Sequence, residues 1–311
     1  GIEVGRNFMT KIWNASRFIM LNHDKSFSNE INFDELDNFD KWILESLNET
    51  IVEVNKSFDK YHFNEAIKKI YDFTWNEFCN WYLEIVKYRF NNTDKESKSS
   101  SFNISRYIIK KVLLLLHPIA PFTSEEIWNH LKDRIEDDII ISKWPKVIDS
   151  EFTYDKNQVL DFKEIVTSIR TIRSELNVPP SKKIDVLAYA KNESVKKEIK
   201  PLLNLIKSLS NTGNFDLGLK KIKPDNSAVA VCKSLELYIP LGELVDKDEE
   251  IAKLNKRLNE LDSLIESIEN KLSNDEFVSK APENIVDGEK NKLNDFSIER
   301  TKILSNIEVL K

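Results

Sequence analysis

Arg6, Asn7, Lys11, Asn14 and Arg17 lie on and around a helically spaced stretch that also carries Phe8, Trp13 and Phe18. Bases of a single-stranded nucleic-acid loop can stack on such rings and hydrogen-bond to Asn or Arg, while Lys and Arg neutralise phosphates. Spacing alone leaves a second reading open, a core helix with a polar outer face. Other chemistry is scarce. The four histidines, His23, His62, His117 and His130, have no metal-ligand spacing, and His62 and His117 fall at expected helix ends. Cys79 sits within Phe78-Cys79-Asn80-Trp81, where a buried, unreactive thiol is expected rather than a Cys–His dyad. No catalytic set and no metal site are visible.

Glycine narrows the chemistry further. The 311 residues contain six glycines, and none falls between Arg6 and Thr212. Phosphate-cradling loops need glycine so that backbone N–H groups can approach closely. Gly213 and Gly218 have P-loop spacing, but Leu219 follows where Lys is required. Nucleotide binding by those loops is excluded for this chain. Its net charge of −6 argues against wholesale coating of nucleic acid but allows a local basic face.

No apolar run approaches a membrane span; Val112 to Leu116, for example, is five residues. No signal peptide is read at the start, and Cys79 and Cys232 fit reduced thiols, so a cytoplasmic protein without membrane contact is expected. The first residue is not Met, which suggests a fragment.

Around the aromatic-rich start, apolar periodicity predicts a mainly α chain in three parts. Residues 1–176 read as a helix bundle containing all six tryptophans and no proline before Pro118. Its helices are expected near 8–19, 43–54, 63–85 and 102–116, with a loop over 91–101. A capping box at Thr123-Ser124-Glu125-Glu126 is expected to start a further helix just after Pro121. Residues 177–247 read as a small α+β module, with strands near 184–190, 215–219, 228–231 and 235–239 and a helix near 195–209. Residues 248–311 carry two heptad seams. The first runs through Ile251, Leu254, Leu258, Leu261, Ile265, Ile268 and Leu272. The second runs through Val286, Glu289, Leu293, Phe296, Arg300, Ile303, Ile307 and Leu310. Their matched lengths favour an antiparallel hairpin over an intermolecular coiled coil. Charges off the seams fit a solvated coiled-coil surface.

Gly5-Arg6-Asn7-Phe8, Lys11 and Trp13 to Phe18 resemble the opening of the anticodon-binding domain of valyl-tRNA synthetases. The resemblance continues in order. It takes in Lys41 to Leu44, Trp75 to Glu84, His117-Pro118 through Trp128, Ile169-Arg170 through Pro180, and the connector Lys271 to Pro282. Asn80 stands where that family commonly has Asp. Isoleucyl and leucyl relatives share the bundle and the His-Pro joint, so the equivalent part of such an enzyme is an alternative. The terminal coiled coil singles out the valine enzymes, and two cysteines cannot supply the zinc module that often ends an isoleucyl enzyme.

The resemblance implies a C-terminal part of a valine–tRNA ligase. The family's ATP-gripping signatures and editing domain are absent, so ATP would be used only by the parent enzyme, through catalytic and editing domains upstream in the same polypeptide. The bundle would hold the anticodon loop of valine tRNA, and the coiled coil would lean on the tRNA's outer corner. Lys11, Asn14, Arg17 and Phe18 are implied on the anticodon side, with Phe18 stacking a base. Arg170, Arg173, Lys253, Arg257, Lys271 and Lys280 are weaker candidates. The chain is expected to be a monomer and inactive alone. The competing reading from another class is a structural coiled-coil interaction protein.

Overall fold

The structure, a computed structural model, describes residues 2–28, 30–133, 136–149, 152–219, 224, 226–240, 247–274 and 283–310. Contacts divide it into two units, Gly1–Phe162 and Lys163–Lys311.

The first unit is a helix bundle. Helix α1 spans Ile2–Leu21, α2 spans Asn38–Asp59, and α3 spans Phe63–Asp72. A ten-residue π-helical stretch, Phe73–Tyr82, runs directly into α4, Leu83–Asn92. Helices α5 (Lys95–Leu116) and α6 (Pro121–Leu131) follow. Ile12, Ile43, Leu47, Ile70, Phe78, Ile104 and Ile108 are all buried to 1% exposure or less and form the core between these helices. The aromatic run of the third segment forces one departure from the expected uniform helix. Leu83 donates its N–H to Phe78 O, five residues back, and the wider turn accommodates Phe73, Trp75, Phe78 and Tyr82.

Two local expectations are corrected. The loop expected over 91–101 is mostly helix, because the Asp94 side chain accepts from the Ser97 N–H and starts α5 at Lys95. The Thr123 capping box does not form. Pro121 occupies the first turn of α6, which begins after Ala120 without a side-chain cap. The Ser124 hydroxyl instead donates to main-chain oxygen of Ala120 and lies 2.8 Å from His117 Nδ1. A capping box does occur at α2, where Asp37 accepts from the Asp40 N–H and Asp40 reaches back.

Below that cap lies a buried ionic cluster. Arg89 Nη1 donates to Asp40 Oδ1 at 2.7 Å and to Ser101 Oγ at 3.1 Å, while Nη2 donates to Asp37 Oδ2 at 2.6 Å. The Tyr82 hydroxyl donates to the same Asp40 oxygen at 2.7 Å. Burial pushes the Tyr82 hydroxyl well above its ordinary pKa, and Asp40 beside it adds to the shift. Burial alone would weaken the Arg89 charge, but Asp40 and Asp37 more than offset it and hold the guanidinium cationic. The cluster joins α2, the end of the π stretch, α4 and α5.

In the second unit, the C-terminal part of α7 (Lys156–Glu175) precedes a four-stranded sheet. Strands β1 (Ile184–Ala190), β2 (Thr212–Gly218), β3 (Ser227–Val231) and β4 (Leu235–Pro240) lie in the order β2-β1-β4-β3. The β1–β2 pair is parallel and is connected through α8 (Glu193–Ile199) and α9 (Leu203–Ser210); the other pairs are antiparallel. Helices α10 (Lys247–Leu272) and α11 (Glu283–Leu310) pack antiparallel as the expected hairpin. Leu254, Leu261, Ile303 and Ile307 are its core, with Leu258 and Phe296 against them. Arg300, the polar break in the second seam, finds Asp262 of the facing helix at 2.6 Å.

Scarce glycine leaves a trace in the turns. Among the described residues the positive-φ positions are Tyr61, Asn177, Asn211 and Asn226, with no glycine among them. Asparagine tolerates that conformation because its short side chain bonds locally.

Candidate nucleic-acid interface

Helix α1 buries Phe8, Ile12, Ala15 and Ile19 and turns the opposite side to solvent. Asn14 and Arg17 are exposed on that side, and neither has a hydrogen-bond or ion-pair partner among the described residues. Lys11, one turn before Asn14, is half-buried. Its Nζ donates to Asn80 Oδ1 at 3.3 Å and lies 5.2 Å from the Trp75 ring centroid. Both partners are neutral, so they hold the ammonium in place without cancelling its charge. Tyr71 stacks on Trp75 at 5.5 Å and tilts against Phe8 at 4.9 Å, fixing that platform.

Phe18 is packed on one side and open to solvent on the other. It packs against Phe90 at 5.9 Å, with Lys87 Nζ 5.7 Å from its ring centre, yet it stays half-exposed. Lys11, Asn14, Arg17 and Phe18 thus come together on one face, backed by the π stretch and α4. Trp75, Asn80 and Lys87 complete that face and were not marked as site residues by their sequence. Lys11 and Asn80 are 69 residues apart, and no periodicity reports such a contact.

The second group of candidates separates. Arg170 is exposed but donates through Nε and Nη2 to Leu209 O at 3.0 and 2.7 Å. Arg173 is 8% exposed, and its guanidinium donates to the carbonyls of Asn211, Pro179 and Lys182 at 3.2, 3.0 and 2.9 Å. That fork is occupied by main chain and tethers the end of α7 to the turns around it. Arg173 therefore joins no surface with the others. On the hairpin, Arg257 pairs with Glu299 at 2.9 Å, and Lys271 lies 3.6 Å from Glu289. Both cations are exposed, where such pairs contribute little to stability and exchange readily for another anion. The Lys253 side chain and Lys280 lie outside the described residues.

Cys79 belongs to the core: burial pushes its thiol up to about 12, and Lys11 and Lys87 offset only part of that. No group of three His, Cys, Asp or Glu residues suited to a metal ion occurs among the described residues. No helix among them is long and apolar enough to cross a membrane.

Residues 40–188 match the family described as the anticodon-binding domain of tRNA ligase. Residues 246–311 match the valyl tRNA synthetase tRNA binding arm. The chain belongs to the valyl-tRNA synthetase family. Over its whole length it is 38% identical to a valine–tRNA ligase of Clostridium perfringens, 36% to one of Listeria innocua and 34% to one of Bacillus subtilis. It spans 35% of the length of each of these relatives. In this valyl-tRNA synthetase chain the arm match coincides with the α10–α11 hairpin. The anticodon-binding match opens inside α2, and the similarity to the relatives extends forward through α1.

Proposed function

We propose that this chain is the tRNA-binding C-terminal part of a valine–tRNA ligase. On this reading the α1 face takes the anticodon loop of valine tRNA, and the hairpin supports the outer corner. The observation that carries the reading is the placement of Lys11, Asn14, Arg17 and half-exposed Phe18 on one face, with the Lys11 charge uncancelled. Unpaired bases offer rings to Phe18 and polar edges to Asn14, while Lys11 and Arg17 meet phosphates. Arg170 on α7 and Arg257 and Lys271 on the hairpin are secondary contacts, as are Lys253 and Lys280 of the matched arm sequence.

Aminoacylation and ATP use belong, in this proposal, to catalytic and editing domains of a longer cytoplasmic polypeptide. Residues 1–176, 177–247 and 248–311 act as anticodon bundle, junction module and arm. A hairpin that satisfies its own apolar seam favours a monomer over a dimerising coiled coil.

Phosphate contacts release counterions, so the affinity of the 311-residue chain for valine tRNA is expected to fall linearly on a log–log plot against salt. The slope should be about −1.4 or steeper, given a minimum of two phosphates met by Lys11 and Arg17. Binding that is flat across the salt range contradicts the proposal.

A further inference from the structure

The turn between α2 and α3 carries a residue that neither stability nor packing explains. The Tyr61 N–H donates to Phe58 O at 3.0 Å and the His62 N–H to Ser57 O at 2.8 Å, with Tyr61 at φ 59°. This bonding pattern ends a helix with a left-handed residue, ordinarily glycine or asparagine. Each other positive-φ residue among those described is asparagine. A tyrosine there is strained by its Cβ, and it gains little packing in return. The residue is 79% exposed, and among the described residues its ring meets the edge of Phe63 alone, itself 51% exposed, at 6.3 Å.

The ring ends an aromatic row. Phe63 contacts Phe58 at 5.8 Å, and Phe58 meets Trp144 at 5.6 Å, whose Nε1 donates to Asn55 Oδ1 at 2.7 Å. Lys60, Lys68, Lys143 and Lys146 are exposed around this row and have no ion-pair partner among the described residues. Asp59 and Glu65 are exposed acids beside it, Glu65 within 3.2 Å of His62, whereas Glu53 pairs with Lys56. Trp75, the ring beneath Lys11, lies twelve residues beyond Phe63, about 18 Å along the helix axis.

We propose that Tyr61 is a base-stacking contact at the α2–α3 turn, a second RNA-binding patch of this chain beside the α1 face's own contacts. The occupant is an unpaired or terminal base of the same tRNA, with Lys60 and Lys68 on its phosphates. Alternating rings and uncancelled lysines are what single-stranded nucleic acid selects. Strain retained at an exposed ring marks the side chain as functional rather than structural.

The inference rests on the tRNA-binding reading above, and the test separates the two. Tyr61→Gly, Tyr61→Phe and Arg17→Ala are prepared in the 311-residue chain, and thermal melting and valine tRNA affinity are measured. Tyr61→Gly is expected to melt at or above the parent temperature, because glycine suits the turn. It should nevertheless bind about five- to a hundredfold more weakly, while Tyr61→Phe binds as the parent does. Parent-like affinity of Tyr61→Gly alongside a weakened Arg17→Ala overturns the inference and assigns the ring to a protein surface. Parent-like affinity of both variants overturns the tRNA-binding reading and this inference with it.

Discussion

Arg89→Ala is expected to destabilise the first unit by about 3–5 kcal/mol, the usual effect of removing one partner from a buried ion pair. Its side chain is 8% exposed and that of Asp40 is 6% exposed, so truncation strands a carboxylate away from water. The loss also frees Ser101 and removes a partner from Asp37, whose other oxygen caps α2. Tyr82→Phe should cost far less, about 1 kcal/mol, because Arg89 still satisfies Asp40. Denaturant unfolding of the two variants checks the ranking. A loss for Arg89→Ala no larger than that of Tyr82→Phe would show that the cluster does not hold the bundle together.

Phe18→Leu and Arg17→Ala are expected to give the largest losses in tRNA affinity. Leucine keeps an apolar side chain against Phe90 but offers no aromatic face to a base, so binding should weaken by ~1–3 kcal/mol. Arg17 has no internal partner, so its removal should leave melting unchanged. It should weaken binding and reduce the salt slope by about one unit. Titration at several salt concentrations reads both quantities. A Phe18→Leu variant that binds as the parent does would return Phe18 to a purely structural role against Phe90 and Lys87.

The parts legible in the sequence are those encoded by strict periodicity. Alternation in Ile184–Ala190 marks β1 to the residue, and the two heptad seams mark a hairpin whose described core includes Leu254, Leu261 and Ile303. The polar and aromatic face of α1 is legible for the same reason, since Lys11, Asn14 and Phe18 recur at helical spacing. What escapes is set by single hydrogen bonds or by distant partners. One Asp94 side chain turns an apparent loop into the start of α5, and Pro121 displaces the expected cap. A π turn is invisible to a period of 3.6, yet it carries Trp75 and Asn80, the two groups that hold Lys11. Arg173 is the reverse case: a basic residue that sequence offers to a phosphate donates to three carbonyls of its own chain.

The central claim is that this chain recognises the anticodon loop of valine tRNA through the α1 face. The direct measurement is a binding titration of the 311-residue chain with valine tRNA and with the same tRNA carrying a replaced anticodon, at one salt concentration. The α1 face predicts weaker binding of the altered tRNA by roughly fivefold or more, since the polar base edges met by Asn14 change and a lost hydrogen-bond partner is worth ~1–3 kcal/mol. The same discrimination should vanish in Asn14→Ala. Equal affinity of the parent chain for both RNAs would contradict anticodon recognition and leave only contacts common to every tRNA.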